Sequence, residues 1–154
     1  MPSNVLQFPT RTRWRVLVAH QLGTIRHMLR TQIETEHIAV LEVADGEAAL
    51  AALACGRFDL LILELDLPQR DGVVVMQMHR VMLAHQEIRG APPAIIISLA
   101  PQVCGVATLT DHLLTLGVAG FIDEPPRTSE IATLIEATLQ ARTAKLSSGR
   151  PTAA

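Results

Sequence analysis

Short apolar runs rich in branched residues alternate along this chain with segments of helical spacing, and this alternation constrains the fold most. The five runs long enough to form buried strands are 15–19, 38–43, 59–64, 94–98 and 120–123. Parallel strands that are covered on both faces by crossover helices have continuous apolar runs of this kind. The sequence therefore predicts an α/β fold with a doubly wound, five-stranded parallel sheet in a single domain.

The helices between these strands are predicted with unequal clarity. Apolar stripes at helical spacing in 25–33 and 131–139 indicate the first and last helices, and Asp45 is a predicted N-cap of the second. The branched run Val73–Val75 favours strand locally, although it lies where the third helix is needed. The fourth helix is predicted to end at Gly117 after an irregular start.

Length and composition bound the organisation of the chain. With 154 residues, of which 49% are hydrophobic, the chain suits one domain with a sizeable core and leaves no room for a second effector domain. The domain is predicted to occupy 13–142, between flexible tails at 1–12 and 143–154.

The charge balance excludes some classes of partner. A net charge of −2, a pI near 6.3 and 3% aromatic residues do not favour nucleic-acid binding. No apolar run approaches the roughly 20 residues that span a bilayer, and no stretch of signal-peptide length follows the first residue. We expect a cytoplasmic protein that does not bind membranes.

Polar side chains stand at or just after the predicted ends of four strands. They are His20, Gln21, Glu64, Ser98 and Glu124. Ligands and catalytic groups of such sheets gather at the carboxyl ends of the strands, near the point where the strand order reverses. The sequence therefore predicts that these five residues share one crevice.

Two motifs carry a resemblance to a known family. One is the third strand with its turn, FDLLILELDLPQRDG at 58–72, and the other is GVAGFIDEP at 117–125. Both resemble the bacterial receiver domain, the CheY-like domain of two-component response regulators, and the resemblance extends from about 15 to 140. It implies a flavodoxin/CheY-like fold and a non-enzymatic signalling role in a two-component system or phosphorelay.

The resemblance also exposes substitutions at the family's phosphorylation site. Glu64 falls on the aspartate that accepts the phosphoryl group, His20 and Gln21 fall on the acidic pair that helps to hold Mg²⁺, and Glu124 falls on a lysine. Only Ser98 keeps the chemistry of its position. Without the carboxylates and the lysine, charge on a transferring phosphoryl group loses its neutralising partners. We therefore expect no bound Mg²⁺, no other cofactor and no catalytic residue.

The leading hypothesis is a stand-alone degenerate pseudo-receiver that signals by protein–protein interaction without phosphorylation. Its partner would be a histidine kinase, a phosphotransferase or another regulator, and homodimerisation is left open. The resemblance places the switch and partner face at Ser98, Phe121 and Pro125, with a cis peptide bond before Pro125.

Two alternative functions are retained. One is a phosphorylatable single-domain response regulator with an atypical acceptor site, and the other is a small metal-binding enzyme that uses His20, Glu64 and Glu124. Two further questions also stay open: whether Glu64 imitates the phosphorylated state, and whether His20 is protonated by its acidic neighbours or is neutral and hydrogen-bonded.

Asp66 and Asp71 are two further acidic residues near Glu64, and two segments of the chain are unusually long. Asp66 is expected in a loop, and Asp71 is expected to cap a turn or a helix rather than to replace the acceptor. The stretches 84–93 and 101–110 are longer than receivers usually have there, and we expect their extra residues in loops.

Overall fold

The computed structural model describes residues 14–87, 92–98, 107–123 and 126–148. Strands and helices alternate throughout this part of the chain. Their bounds are β1 Trp14–Ala19, α1 Gly23–Ile33, β2 Ile38–Val43, α2 Gly46–Cys55, β3 Leu60–Glu64, α3 Gly72–His85, β4 Ala94–Ser98, α4 Ala107–Thr115, β5 Val118–Asp123 and α5 Thr128–Ser148.

The strands form one parallel sheet in the order β2-β1-β3-β4-β5. The chain runs outward from β1 to β2, and then crosses back to β3 on the other side of β1. The point at which the strand order reverses therefore lies between β1 and β3, and in such sheets a ligand crevice opens at the carboxyl ends of these strands. The predicted α/β class and the five-stranded parallel sheet are confirmed.

The sheet is buried on both faces, which explains the continuous apolar runs. In β3 the side chains alternate between the two sides. Leu61 and Leu63 belong to one apolar cluster, and Leu60 and Ile62 belong to the other. The first cluster packs against α2, α3 and α4, and the second packs against α1 and α5.

Side-chain caps fix the starts of α2 and α3. Asp45 accepts a hydrogen bond from the backbone N–H of Ala48 at 2.7 Å, and Asp71 accepts one from that of Val74 at 2.9 Å. Both capping predictions are confirmed. The branched run at 73–75 is helical despite its local preference for strand, because the cap begins the helix and burial of Val75 stabilises it.

The later helices agree with their predicted ends less closely. Helix α4 ends at Thr115, and Gly117 follows with a φ of 98°, as expected of a glycine beyond a helix C-terminus. Helix α5 continues to Ser148, past the predicted domain boundary at 142, because Ala141, Ala144 and Lys145 favour helix. No helix in the described ranges is long and apolar enough to cross a membrane.

Candidate functional site

The crevice at the reversal of strand order is built from the ends of β1 and β3. Ala19 and Leu63 are paired in the parallel register, so His20 and Glu64 follow directly on neighbouring strands. The side chains of both residues are buried, with 0% of His20 and 2% of Glu64 exposed. The strand ends therefore bring His20, Gln21 and Glu64 together as the sequence predicted.

Gln21 hydrogen-bonds both carboxylate oxygens of Glu64. Its backbone N–H donates to Oε2 at 2.8 Å, and its side-chain amide Nε2 donates to Oε1 at 2.6 Å. A buried carboxylate is stabilised when such donors replace the water that it has lost. The sequence pointed to Gln21 only as a residue that lacks a carboxylate, and gave no sign that it would hold Glu64 in this way.

His20 lies beside the same carboxylate but is oriented by the backbone. Its Nδ1 is 3.7 Å from Glu64 Oε2, and it accepts a hydrogen bond from the N–H of Leu22 at 3.0 Å. A ring nitrogen can accept an N–H only when it carries no proton itself. The hydrogen bond from Leu22 orients the imidazole at the carboxyl end of β1.

Arg26 fixes the turn between β1 and α1, a role that was not predicted from the sequence. Its Nη1 donates to the carbonyl of His20 at 2.7 Å and to that of Gln21 at 3.1 Å. Helical side chains point toward the N-terminus of their helix, so an arginine one turn inside α1 can reach back to this turn. That direction was the available signal for its role.

The turn after β3 closes the crevice from the other side. The N–H of Gly72 donates to the carbonyl of Leu65 at 2.9 Å, and a Cβ at position 72 would lie 2.7 Å from the carbonyl oxygen of Glu64. Gly72 thus lets α3 begin directly against the end of β3. Asp66 is exposed in this turn, outside β3, as predicted.

The predicted switch face is described only in part. Phe121 is half-buried and packs against the cluster below α2, α3 and α4. Ser98 is the last residue of β4, and its backbone pairs with Asp123, but its side chain is outside the described part. Glu124, Pro125 and the peptide bond between them are also outside it.

The described residues offer no arrangement suited to a metal ion. Among the described residues, no group of three His, Cys, Asp or Glu side chains is placed to hold a metal ion. Of the alternative ligand set, His20 and Glu64 are close together, whereas Glu124 lies outside the described ranges.

Comparison with protein families gives a match over most of the chain. The model of the response regulator receiver domain matches residues 16–136. A protein-glutamate methylesterase/protein-glutamine glutaminase of Azospirillum brasilense is 29% identical over 119 residues, which are 76% of this chain and 28% of that protein. The response regulator protein PmrA of Pseudomonas aeruginosa is 30% identical over 105 residues, 66% of this chain and 45% of that protein.

A further relative matches more of the chain. The cyclic di-GMP phosphodiesterase response regulator RpfG of Xanthomonas campestris is 30% identical over 129 residues, 82% of this chain and 32% of that protein. The chain thus spans less than half the length of these curated relatives. The similarity is to one region of each relative.

Solved structures show the same fold at low sequence identity. A CheY-like receiver domain protein of Methanospirillum hungatei superposes with a TM-score of 0.73 at 16% identity, covering 87% of this chain and 99% of that one. A chemotaxis response regulator of Vibrio cholerae gives a TM-score of 0.69 at 19% identity, covering 82% of this chain and 99% of that one.

Proposed function

Since the chain belongs to the response regulator receiver family, whose domains contact kinases and other regulators in two-component signalling, we propose that it signals through protein–protein contacts without phosphorylation of Glu64. The observation that carries this proposal is the state of the Glu64 carboxylate. It is buried, and both of its oxygens accept hydrogen bonds from Gln21.

These bonds oppose a role for Glu64 as a phosphoryl acceptor. To attack a phosphorus atom, a carboxylate oxygen must present a lone pair in line with the leaving group. Here each oxygen accepts an N–H of Gln21, which lowers its nucleophilicity, and the side chain would have to move toward solvent to meet the phosphoryl donor. Both effects add to the barrier of the transfer.

The residues around Glu64 also do not fit the divalent cation that the family uses. Mg²⁺ prefers carboxylate and other oxygen ligands in a near-octahedral arrangement. At the end of β1 the chain offers an imidazole that accepts a backbone N–H and an amide whose N–H₂ group is directed at Glu64. The proposed function therefore involves no metal ion.

The direct test is incubation of the chain with acetyl phosphate and MgCl₂, followed by intact-mass measurement. We expect no phosphoryl adduct, and no chemical-shift change in the crevice on addition of beryllofluoride and Mg²⁺. A labile adduct that disappears in Glu64→Gln would overturn the proposal and support the phosphorylatable alternative.

A restored variant makes a negative result informative. His20→Asp, Gln21→Asp, Glu64→Asp and Glu124→Lys together return the residue types that the family uses. We expect this variant to acquire an adduct under the same conditions, which would show that the fold can support the transfer and that the native residues prevent it.

Partner binding supplies the positive test. The histidine kinases and phosphotransferases of the source organism are to be titrated with the labelled chain, with and without acetyl phosphate. We expect one specific complex whose Kd is unchanged by acetyl phosphate and is weakened by Phe121→Ala, because Phe121 is the half-buried residue of the predicted face. A complex that forms only after phosphorylation would contradict the proposal.

A further inference from the structure

A cluster of charged side chains lies at the outer edge of the sheet, where β2 is an edge strand. Glu42 on β2 accepts a hydrogen bond from Arg30 Nη1 at 3.1 Å, and its other carboxylate oxygen lies 3.9 Å from Arg26 Nε. Arg30 Nε is also 3.3 Å from Glu34 Oε2. Arg26 and Arg30 stand one helical turn apart on α1, so the carboxylate of Glu42 can engage both guanidinium groups.

These contacts place Glu42 more firmly than a single surface ion pair would. Isolated exposed pairs contribute little, because two long side chains lose their freedom for one contact. The side chains of Arg26 and Glu42 are each only 23% exposed, and Arg30 holds the carboxylate as well. Glu42 is therefore already ordered where it faces Arg26, and the pair costs less side-chain entropy.

Arg26 connects this cluster to the turn between β1 and α1. Its Nε faces Glu42, whereas its Nη1 donates to the carbonyl oxygens of His20 and Gln21 at 2.7 and 3.1 Å. A guanidinium group is planar and presents its donors in a fixed arrangement. The orientation of Arg26 toward Glu42 and its orientation toward the turn are therefore set together.

The peptide bond between His20 and Gln21 joins Arg26 to Glu64. Its carbonyl oxygen accepts the hydrogen bond from Arg26, and its N–H donates to Glu64 Oε2 at 2.8 Å. The atoms of a peptide unit lie in one plane, so a group that orients the carbonyl also orients the N–H. A hydrogen bond to the carbonyl also polarises the N–H. Arg26 thus acts on the Glu64 carboxylate through one planar unit.

We propose that Glu42 and Arg26 are positioning residues for the hydrogen bonds between Gln21 and Glu64, and that they form a relay from the outer edge of β2 to the crevice. Loss of the negative charge at Glu42 leaves Arg26 less restrained, and with it the peptide before Gln21. A contact that neutralises Glu42 is then felt at Glu64, two strands away. The relay acts in the unmodified chain, so it is independent of whether Glu64 can be phosphorylated.

Two other hydrogen bonds also support the turn and the carboxylate. The N–H of Leu22 donates to His20 Nδ1 at 3.0 Å, and the side-chain amide of Gln21 donates to Glu64 at 2.6 Å. Both remain when Arg26 or Glu42 is replaced. We therefore expect the bond from the Gln21 N–H to open more often in the variants, and not to disappear.

The experiment is amide hydrogen exchange of the ¹⁵N-labelled chain, measured by NMR at one fixed pH without acetyl phosphate. In Arg26→Ala the Gln21 amide should exchange about tenfold faster than in the native chain, because its peptide unit loses a charge-assisted hydrogen bond. Glu42→Gln should accelerate the same amide about threefold, as expected of a partly exposed ion pair. Neither substitution is adjacent to Gln21 in sequence, so the intrinsic exchange rate of this amide is the same in all three chains.

The double variant tests whether the two residues act in series. If Glu42 acts through Arg26, adding Glu42→Gln to Arg26→Ala should cause no further acceleration at Gln21. The side-chain amide resonances of Gln21 should move in the same order as the exchange rates, toward the positions of a solvent-exposed glutamine.

Glu34→Gln is the matched control. It removes the same charge from the same cluster, but Glu34 contacts Arg30 and not Arg26, so the Gln21 amide should keep its native exchange rate. The amides of Leu61 and Leu63 in β3 report on the stability of the sheet. In Arg26→Ala and in Glu42→Gln they should accelerate less than the amide of Gln21.

A native exchange rate at Gln21 in Arg26→Ala or in Glu42→Gln would overturn the proposal. Equal acceleration by Glu34→Gln and Glu42→Gln would do the same, as would a double variant in which the two factors multiply. Equal acceleration of Gln21 and the β3 amides would show a general loss of stability and would also contradict the relay. None of these outcomes bears on the acetyl phosphate test of Glu64, so the relay and the proposed function can fail separately.

Discussion

Replacement of Gln21 should destabilise the crevice. Its side-chain amide donates to Glu64 Oε1 at 2.6 Å, and the carboxylate that it holds is buried. Gln21→Ala removes this donor, and it should lower the free energy of unfolding by about 1–3 kcal/mol, because a buried acceptor loses its partner. Urea denaturation followed by circular dichroism measures the change.

A second substitution separates this effect from simple loss of packing. Adding Glu64→Leu to Gln21→Ala removes the carboxylate, so the double variant should be more stable than Gln21→Ala alone. Gln140→Ala, on the exposed face of α5, should change stability little. If the double variant is less stable than Gln21→Ala, the lost hydrogen bond does not explain the destabilisation.

His79 should make the stability of the domain depend on pH. It is buried on α3, and burial lowers its pKa below the usual value of 6.5. Below about pH 6.5 the unfolded chain then binds a proton that the folded chain does not. The free energy of unfolding should therefore fall as the pH drops through this range, and level off once the pH is below the lowered pKa.

The comparison of His79→Leu with His37→Leu tests this pH dependence. The free energy of unfolding, measured by urea denaturation, should differ less between pH 7.5 and pH 5.0 for His79→Leu than for the native chain. His37 is exposed, so His37→Leu should keep the native difference. Equal pH dependence in the native chain and in His79→Leu would show that other groups account for it.

The residues of the crevice could be predicted from the sequence more easily than their contacts. His20 and Glu64 were placed together because the carboxyl ends of neighbouring parallel strands meet, which depends only on strand order. The bond from Gln21 to Glu64 also depends on the turn after β1 and on two side-chain rotamers. Spacing along the chain determines neither of these, so the sequence shows only that Gln21 lacks the carboxylate of the family position.

At the level of helices and turns, Gly46 should tolerate substitution far less than Gly23, although each is the first residue of a helix. A Cβ at Gly46 would lie 1.9 Å from the carbonyl oxygen of Arg70, in the turn after β3. A Cβ at Gly23 would lie 3.3 Å from Nη2 of Arg26, the end of a flexible side chain. The two positions therefore differ in what surrounds them.

Gly46→Ala should cost about 3 kcal/mol of stability, because α2 and the turn after β3 must move apart. Gly23→Ala should be neutral or slightly stabilising, since alanine is the better helix former. Thermal unfolding of the two variants measures the difference. Equal melting temperatures would show that α2 can shift away from Arg70 without loss.

Helix α3 shows why local preference did not decide every element. Its three valines favour strand when they are considered alone. Asp71 caps the helix, and the side chain of Val75 is buried on the inner face of the helix. The cap and the burial both depend on the position of α3 beside β3. The strands were easier to predict, because burial on both faces leaves a continuous apolar run that needs no tertiary context.

For the whole molecule, the two apolar clusters share one sheet and should unfold together. Leu63→Ala leaves a cavity in the first cluster, and Ile62→Ala leaves one in the second. Each should lower the free energy of unfolding by about 2–5 kcal/mol. Leu41→Ala, at an exposed position of the edge strand β2, should cost less. The chain has one tryptophan, Trp14, which packs against the second cluster and reports on it by fluorescence.

Fluorescence and far-UV circular dichroism should therefore give the same urea midpoint in each variant, as expected of two-state unfolding. Two separate midpoints for Leu63→Ala would show that the faces of the sheet lose their structure independently.

The hydrogen bonds between Gln21 and Glu64 also bear on how the signalling output of the protein is controlled over time. A receiver that gains and loses a covalent mark can be reset within the lifetime of one molecule. If Glu64 is not phosphorylated, as we propose, this chain has no such cycle. The strength of the signal would then depend on the cellular concentration of the protein, which synthesis and degradation set. It would also depend on the concentration of other proteins that compete for the same binding partner.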